Sequence, residues 1–429
     1  MTDDSGGPRQ TPSICLGVGI LDGVFRVGHA RQYCADRVGW MSESSLPSPT
    51  RSRVVLLYGG RSSEHAISCV SAGSVLEAID TTRWDVVPVG IARDGRWLLT
   101  GATADQLRMR DGELPSVTAG QPVVLEPRSD GVHLLVIDHE AAVDLAAGDL
   151  AAGDVGVVDR GVVDVVFPLL HGPWGEDGAI QGLLESVGVP YVGSGVLASA
   201  VAMDKAAMKA ALSGHGIPIG PYEVVHDGEW RIGRERVCAR IEFALELPVF
   251  VKPARAGSSI GISKVKKWSD LPVAIDQARL HDPKVVVEQG IDGAEIECGV
   301  LGQSRDQRAQ ASVCAQIAVV GDHEFYDFEA KYLDTAAVLT VPADLPVDTA
   351  TRVREMAIRS FEALECEGLA RVDFFVSDQT RITVNEVNTM PGFTPSSMFP
   401  RMWNASGIAY DELIDQLLNL ALLRERGLR

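Results

Sequence analysis

Positive charge is scarce in this sequence of 429 residues: 39 Lys and Arg stand against 58 Asp and Glu, for a net charge of −19. Such an acidic surface repels nucleic acids and anionic membranes, so we expect neither as a partner. A site for an anionic substrate must then be a local cluster of cations. The seven cysteines form no Cys-x-x-Cys pair, which favours reduced thiols over a disulfide framework.

Long apolar runs are also missing, since none approaches the roughly 20 residues that cross a bilayer. The best N-terminal candidate, residues 14–24, is interrupted by Asp22 and follows Asp3 and Asp4 instead of a basic region. It is therefore a poor signal peptide, and we expect a cytoplasmic protein.

The first 50 residues resemble nothing that follows them. Met41 opens a Ser/Pro-rich stretch, SESSLPSPTRS, which is typical of a flexible leader. We expect the folded part to start near Arg53, and Met41 is a candidate for the true start of translation. A tandem five-residue repeat at 145–155 predicts an exposed turn region.

From residue 51 onward the pattern predicts an α/β protein with mixed sheets. An apolar run at 54–58, a Gly-Gly turn and a helical pattern from Ser68 form the opening of a parallel α/β unit. We expect three domains, at 51–193, 194–288 and 289–425. Further strands are predicted at 85–91, 164–170, 248–253, 285–288 and 383–387, and helices at 203–212 and 411–424.

A Walker A loop is absent, because the sequence lacks even a Gly-Lys dipeptide. The remaining candidate for phosphate binding is KPARAGSSIG at 252–261, in which Lys252 precedes a loop of small residues. Such a loop lets backbone amides approach phosphate oxygens closely, while the lysine supplies charge. The alternative is an ordinary turn, which is what most Gly/Ser loops after a strand are.

Four polar residues on two late strands suggest a metal site. Arg371 and Asp373 are two residues apart, as are Glu386 and Asn388, so each pair points to one face of its strand. Carboxylate and amide oxygens suit Mg²⁺ that bridges nucleotide phosphates. The alternative is a solvated strand face with an incidental ion pair. Acidic residues in mostly buried strands are costly, however, unless they are paired or bound to metal.

Two loops near the start of the folded part carry further polar residues. Glu64 and His65 follow the first predicted strand, and His171 begins a glycine-rich acidic turn after another. Ligands of open α/β sheets bind at such carboxyl ends of strands. Either loop alone would be ordinary surface polarity, whereas two from one sheet favour a common cleft.

Six motifs, in this order and spacing, closely resemble the D-alanine–D-alanine ligases from about residue 54 to the C-terminus. The resemblance implies a three-domain ATP-grasp fold with a Rossmann-like N-terminal domain and ATP held between the central and C-terminal domains. The motifs are GGRSSEHAIS, HGPWGEDGAIQG, VKPARAGSSIGISKV, YDFEAKY, RVDFF and NEVNTMPGFTPSSMFP.

On the nucleotide side, the resemblance implies ATP as a substrate and two Mg²⁺ or Mn²⁺ ions. The metal ligands would be Asp373, Glu386 and Asn388. The residues expected at ATP are Lys205 and Lys252 at the α- and β-phosphates, Lys331 at the γ-phosphate, Ser258 in the glycine-rich loop, Glu288 at the adenine amino group, Ile291, and Glu295 at the ribose hydroxyls.

For D-alanine the resemblance implies phosphorylation of the first carboxylate, followed by attack of the second amine. Arg371 and the Gly392 amide would stabilise the oxyanion. The remaining contacts would be Glu64 at the first ammonium, His171 near the first carboxylate, Ser397 and the Met398 amide at the second carboxylate, and Ser258 and Tyr332 bonded to Glu64. Tyr332 and Lys331 belong to a loop expected to close and exclude water.

Two departures from the family pattern are Ala66 and Ala256, which stand where many relatives carry glutamate. We expect altered support or loop ordering there, with activity retained. The segment at 183–195 suggests a homodimer. Three alternatives stay open: a ligase for D-lactate or D-serine as second substrate, another ATP-grasp carboxylate–amine ligase, and an ATP-binding regulator on a ligase scaffold. Tyr332 favours the dipeptide enzyme over the depsipeptide one.

Overall fold

The computed structural model describes residues 51–110, 112–138, 156–257, 260–303, 309–319 and 337–424. Several predictions fall outside these residues. They are the leader at 1–50, the repeat at 145–155, the closing loop, and the site residues Ser258, Lys331 and Tyr332.

The first sheet has seven strands in the order β6-β5-β4-β3-β2-β1-β7. Strand β1 pairs in parallel with β2 and β7, and the other neighbours are antiparallel. The strands are β1 (Ser52–Gly59), β2 (Trp84–Ile91), β3 (Trp97–Leu99), β4 (Gln121–Arg128), β5 (Gly131–Asp138), β6 (Gly156–Val163) and β7 (Val165–Leu169).

Helices cover both faces of β1, which explains why its sequence is a continuous apolar run. Leu56 and Tyr58 share a core with α1 (His65–Ala78), whereas Val55 and Leu57 share one with α2 (Ala179–Val187). The alternation follows from the two-residue period of a strand. Because β1 and β7 are parallel, the loops that follow them leave the same edge of the sheet, as the sequence predicts.

The second sheet is antiparallel with the order β10-β9-β11-β8, and helices cover one face. Val251 and Val287 pack with these helices, while Lys252 and Glu288 alternate to the opposite face, which lines the pocket described below. The elements are β8 (Tyr222–Val225), α5 (Asp227–Ile232), α6 (Arg234–Ala244), β9 (Val249–Pro253), β10 (Ser263–Val265), α7 (Leu271–Ala278) and β11 (Val285–Gln289).

The third sheet is also antiparallel, in the order β14-β13-β12-β15-β16. The C-terminal helices return to the core of the first sheet, where Phe399 and Leu417 pack with Phe167. The elements are α3 (Val196–Met203), α4 (Lys205–Gly214), β12 (Ala294–Gln303), β13 (Gln310–Val319), β14 (Ala337–Thr340), α8 (Val347–Ala363), β15 (Glu367–Ser377), β16 (Arg381–Asn388), α9 (Met398–Ala405) and α10 (Tyr410–Leu422).

Most predicted elements are confirmed, and the helix expected at 203–212 is α4, which begins two residues later than predicted, at Lys205. The chain breaks at Asp204, whose carboxylate accepts the backbone N–H groups of Ala206 and Ala207 and caps α4. The alanine-rich composition of this segment predicts a helix but does not show where its N-cap lies. The first helix also begins earlier than expected, at His65 instead of Ser68. The three domain limits stay a prediction.

The cysteines within the described ranges are free thiols, and four of the five are buried. Across the same ranges, no helix is both long and apolar enough to cross a membrane.

Candidate active site

One cavity of about 880 Å³ lies between the loops of the first sheet and the inner faces of the other two. Every site residue that the resemblance implies, within the described ranges, lines it. These residues are Glu64, His171, Lys205, Lys252, Glu288, Ile291, Glu295, Arg371, Asp373, Glu386, Asn388, Gly392, Ser397 and Met398. His65 does not line the cavity, because its ring bonds to the Gly60 carbonyl oxygen and accepts the Val117 amide.

The second sheet and α4 supply a buried cluster of two lysines and one glutamate, here termed the lysine–glutamate cluster (Lys209, Lys252 and Glu288). The Glu288 carboxylate accepts a hydrogen bond from Lys252 at 2.6 Å and lies 3.2 Å from the Lys209 ammonium. Burial opposes ionisation of Glu288, but the two ammonium groups outweigh it and lower its pKa to about 2. The pKa of Lys252 is raised, because Glu288 outweighs its desolvation.

Sequence reasoning missed Lys209, which is only 2% exposed. It stands one helical turn after Lys205, so both lysines lie on the same side of α4. Its ammonium also lies 5.9 Å from the centre of the Tyr222 ring. A lysine repeated four residues after a predicted phosphate contact was the available signal.

Lys205 connects the glycine-rich loop to the third sheet. Its ammonium donates to the carbonyl oxygen of Ala256 at 2.9 Å and lies 3.9 Å from a Glu386 carboxylate oxygen. Because the contact at Ala256 uses the backbone, the missing glutamate side chain does not remove it. Ile291 and Glu295 line the same cavity from the β11–β12 connection and the start of β12.

The predicted metal ligands are neighbours on β15 and β16. Asp373 is directly opposite Glu386, and Arg371 is opposite Asn388, so the two-residue spacing does place each pair on one face. Arg371 donates to both Asp373 oxygens at 2.7 Å, and the Asn388 amide donates to Asp373 at 2.9 Å. Two carboxylates and an amide fit a hard cation such as Mg²⁺.

Among the described residues, no group of three or more His, Cys, Asp or Glu side chains forms a metal cluster. The set on β15 and β16 contains only two carboxylates, and its third member is an amide. It would therefore be completed by phosphate oxygens and water, as is usual for Mg²⁺ held at a nucleotide.

Glu64 stands at the start of α1 and is 7% exposed. Two glycines make room for its carboxylate. A methyl group on Gly172 would come within 2.4 Å of one carboxylate oxygen, and a methyl group on Gly257 within 2.8 Å of the same atom. Gly172 also has φ +74°, a conformation that favours glycine.

His171 is buried with both ring nitrogens engaged. Its Nδ1 lies 3.1 Å from the Met390 carbonyl oxygen and its Nε2 lies 3.3 Å from the Ser71 hydroxyl. Because a carbonyl only accepts, Nδ1 carries the proton and Nε2 accepts from Ser71. Burial lowers the pKa of His171, although the nearby Glu64 carboxylate works against it. The imidazole is therefore neutral, and its contact with the substrate stays a prediction.

Glu176 is a further pocket residue that sequence reasoning missed. Its carboxyl oxygens accept the Gly172 amide at 2.6 Å and the Met390 amide at 3.2 Å. Burial and the neighbouring Glu64 carboxylate raise the pKa of Glu176 to about 8. The acidic turn in HGPWGEDG was noticed in the sequence, but nothing there indicated where its carboxyl group points. We term Glu64, His171 and Glu176 the acidic corner.

The turn at 389–397 leads into α9. A methyl group on Gly392 would lie 3.1 Å from the Ser397 hydroxyl, so the two residues are in close contact. Ser397 is the N-cap of α9, and Met398 is its first residue. Unpaired amides and the helix dipole make such an end suitable for a carboxylate. The contacts predicted for the second carboxylate, Ser397 and the Met398 amide, thus lie at a helix N-terminus.

Two family models match the chain. The model described as "D-ala D-ala ligase N-terminus" matches residues 53–194, and the one described as "D-ala D-ala ligase C-terminus" matches residues 211–419. Together they span most of the chain.

Curated relatives match over nearly their whole length. The D-alanine–D-alanine ligase of Paenarthrobacter aurescens (strain TC1) is 50% identical over 391 residues, which cover 91% of this chain and all of that protein. The D-alanine–D-alanine ligase of Mycobacterium sp. (strain KMS) is 52% identical over 387 residues, covering 88% of this chain and 98% of that protein.

Two solved structures of ligases are similar in fold to this chain. The D-alanine–D-alanine ligase from Coxiella burnetii superposes with a TM-score of 0.68 at 31% identity, covering 87% of this chain and 94% of that one. The VanG D-Ala:D-Ser ligase from Enterococcus faecalis superposes with a TM-score of 0.70 at 32% identity, covering 86% of this chain and 99% of that one.

Proposed function

Because this chain belongs to the D-alanine–D-alanine ligase family, we propose that its pocket joins two D-alanine molecules to D-alanyl-D-alanine, with ATP leaving as ADP and phosphate. The product serves peptidoglycan precursor synthesis. The observation that carries the proposal is that every site residue implied by the resemblance, within the described ranges, lines one cavity. Residues from all three sheets or their loops contribute to it.

The nucleotide half of the pocket contains lysines despite the acidic surface. Lys205 and Lys252 contact the α- and β-phosphates, while Glu288, Ile291 and Glu295 contact the adenosine. Lys252 is bonded to Glu288 in this structure, so it exchanges that carboxylate for phosphate oxygens when ATP binds. Lys209, 3.2 Å from the same carboxylate, keeps Glu288 ionised during the exchange.

The strands β15 and β16 supply the metal site. Asp373, Glu386 and Asn388 would hold two Mg²⁺ or Mn²⁺ ions, which would supply positive charge against the transferred phosphoryl group. Glu386 lies 3.9 Å from Lys205, so a lysine that is predicted to contact phosphate lies beside these metal ligands.

The acidic corner binds the first D-alanine through the Glu64 carboxylate, which pairs with the substrate ammonium. A carboxylate oxygen of that D-alanine attacks the γ-phosphorus of ATP, the bond to ADP breaks, and an acylphosphate forms. Arg371 and the Gly392 amide then stabilise the oxyanion as the second amine attacks and phosphate leaves. The guanidinium is kept charged, because Asp373 and Glu297 outweigh its burial and raise the pKa of Arg371.

The second D-alanine enters with its carboxylate at the start of α9. Ser397 and the Met398 amide receive it, helped by the helix dipole. Ser258, Lys331 and Tyr332, which lie outside the described residues, keep the roles that the sequence predicts for them.

We also propose that the chain forms a homodimer through the surface around 183–195. Leu183, Val196 and Leu197 are each at least 40% exposed on α2 and α3. Such apolar exposure suits a protein contact. The mass in solution, measured by light scattering, should be twice that of the chain; a monomer at all concentrations would exclude the dimer.

The test of function is phosphate release by the purified protein with Mg·ATP and D-alanine, L-alanine, D-alanine plus D-lactate, or D-alanine plus D-serine. D-alanine alone should release phosphate and give D-alanyl-D-alanine by mass. A mixed product formed in preference to it would move the chain to the D-lactate or D-serine class. No response to any D-amino acid would favour a regulator.

The Arg371→Ala variant tests the oxyanion assignment within the same assay. Loss of this donor should lower kcat by at least about 10²-fold. Arg381→Ala is the matched control, because Arg381 is 72% exposed at the start of β16. Near-normal turnover by Arg371→Ala would contradict the assignment.

A further inference from the structure

Met390 is held at both of its peptide groups by one loop of the N-terminal sheet. Its N–H donates to the Glu176 carboxyl at 3.2 Å, and its carbonyl oxygen accepts from His171 Nδ1 at 3.1 Å. Both partners come from the HGPWGEDG loop, more than two hundred residues earlier in the chain. A two-point attachment of this kind fixes both the position and the direction of the backbone.

Met390 lies midway between two residues that the proposed function uses. Asn388 is two residues before it and Gly392 is two residues after it. The Gly392 amide must lie close to the developing oxyanion, and a misplacement of about 1 Å at such a donor costs on the order of 10²-fold in rate. The backbone position of Met390 therefore sets the geometry of that amide.

The same Glu176 carboxyl group also binds the backbone of Gly172, the residue that lies against Glu64. Its other oxygen accepts the Gly172 amide at 2.6 Å. Gly172 in turn lies directly against the Glu64 carboxylate, which a larger side chain would displace. One carboxyl group thus connects the residue at the first ammonium to the loop that carries the oxyanion amide.

We propose that Glu176 is a positioning residue for the ligase reaction, which clamps Met390 together with His171 and so aligns the Gly392 amide with the substrate held by Glu64. The proposal rests on the proposed function. Glu176 itself touches no reacting atom in this scheme. Its contribution is to hold two segments in register, because each of its oxygens accepts one backbone amide.

Glu176→Gln is the direct test, because the side chain keeps its size while one oxygen becomes an NH₂ group that cannot accept an amide hydrogen. We expect kcat to fall about 10- to 100-fold, and KM for ATP to stay within about twofold. A merely structural role would instead change stability and both kinetic constants together.

Glu185→Gln is the matched control. Glu185 accepts a hydrogen bond from Tyr191 at 2.8 Å on α2 and is not among the cavity residues. Its variant should keep the wild-type kcat. The urea midpoints of both variants show whether a change in kcat reflects unfolding.

The outcomes separate this proposal from the function itself. If wild type releases no phosphate with D-alanine, the proposed function fails. If wild type is active and Glu176→Gln keeps its kcat, or changes only KM for ATP, the clamp is wrong. Should Glu176→Gln not fold, Glu176→Asp gives the same decision. It keeps two acceptor oxygens but is one methylene too short to reach both amides, so an unchanged kcat again overturns the clamp.

Discussion

Glu288 is buried and Glu176 is half-buried in the wall of one pocket, and their charge states differ. The pKa of Glu288 is lowered to about 2 and that of Glu176 is raised to about 8. Burial disfavours the carboxylate at both sites. Glu288 lies between two ammonium groups, whereas the charge that acts most strongly on the pKa of Glu176 is another carboxylate, that of Glu64. The neighbours therefore decide the charge of a buried carboxyl group.

The contrast matches what each region is proposed to bind. In the lysine–glutamate cluster two ammonium groups face one carboxylate, so a net positive charge remains for phosphate. In the acidic corner a protonated Glu176 and a neutral His171 leave Glu64 as the carboxylate that meets an ammonium group. Each region is thus complementary to its own part of the substrates.

The largest effect should come from removing the charge of Glu288. Glu288→Gln leaves the Lys209 and Lys252 ammonium groups buried beside each other without a carboxylate. Breaking a buried ion pair from one side typically costs about 3–5 kcal/mol. We expect the free energy of unfolding, measured in urea, to fall by that amount.

Glu176→Gln is the comparison for this loss, because it replaces a protonated carboxyl group by a neutral one of the same size. Below pH 4.5, where the folded and the unfolded wild type both hold this proton, it should cost no more than about 1.5 kcal/mol, the net value of one hydrogen bond. Equal losses for the two variants would mean that the two carboxyl groups carry the same charge.

A second effect concerns pH. The pKa of Glu176 in the folded protein, about 8, is above its ordinary value of 4.5. Between these values the folded state holds a proton that the unfolded state has released. The contribution of this proton to the free energy of unfolding is therefore complete below pH 4.5 and is lost as pH rises to about 8.

The wild-type free energy of unfolding should then decline, relative to that of Glu176→Gln, by up to about 1.4 kcal/mol per pH unit over this window. Urea titrations of both proteins at pH 5, 6, 7 and 8 measure the difference. Parallel pH profiles would show that Glu176 is ionised, despite the Glu64 carboxylate beside it.

The smallest effect is expected from Gly172→Ala. The new methyl group would meet a Glu64 oxygen at 2.4 Å, and the flexible end of that side chain can move away. KM for the first D-alanine should rise about fivefold, equivalent to about 1 kcal/mol, while KM for ATP stays unchanged.

Gly216→Ala controls for backbone strain in this experiment. Gly216 has φ +66°, close to the +74° of Gly172, but a methyl group there would meet nothing within 4 Å. Both variants should lose similar stability. An equal rise of KM in both would mean that strain, and not displacement of Glu64, is responsible.

The sequence allowed much of this arrangement to be predicted, because periodicity is a local property. The two-residue spacing of Arg371 and Asp373 placed both on one strand face, opposite Glu386 and Asn388, as observed. The apolar run of β1 likewise predicted the first strand of a parallel α/β unit, as observed. Both patterns are visible without knowing which segments meet.

The residues that were missed depend on contacts between distant segments. Lys209 reads as one more exposed helical lysine until Glu288, 79 positions later, is placed 3.2 Å from it. Glu176 reads as part of an acidic turn until Met390 is placed beside it. Asp204 is a different case, because its capping bonds are local and the predicted helix at 203–212 began one residue before this N-cap. Helix propensity alone therefore does not locate the start of a helix, and the sequence alone does not show which distant residues become partners.

The last described residue limits how the chain can be engineered. The Arg424 side chain is only 6% exposed; it pairs with Glu367 at 2.7 Å, donates to the Gly193 carbonyl at 3.0 Å and lies over the Tyr191 ring. It fastens the end of the C-terminal helix to both the first and the third sheet. A truncation that removes Arg424 would remove its contacts with both of these parts of the fold, so a shortened expression clone should retain it.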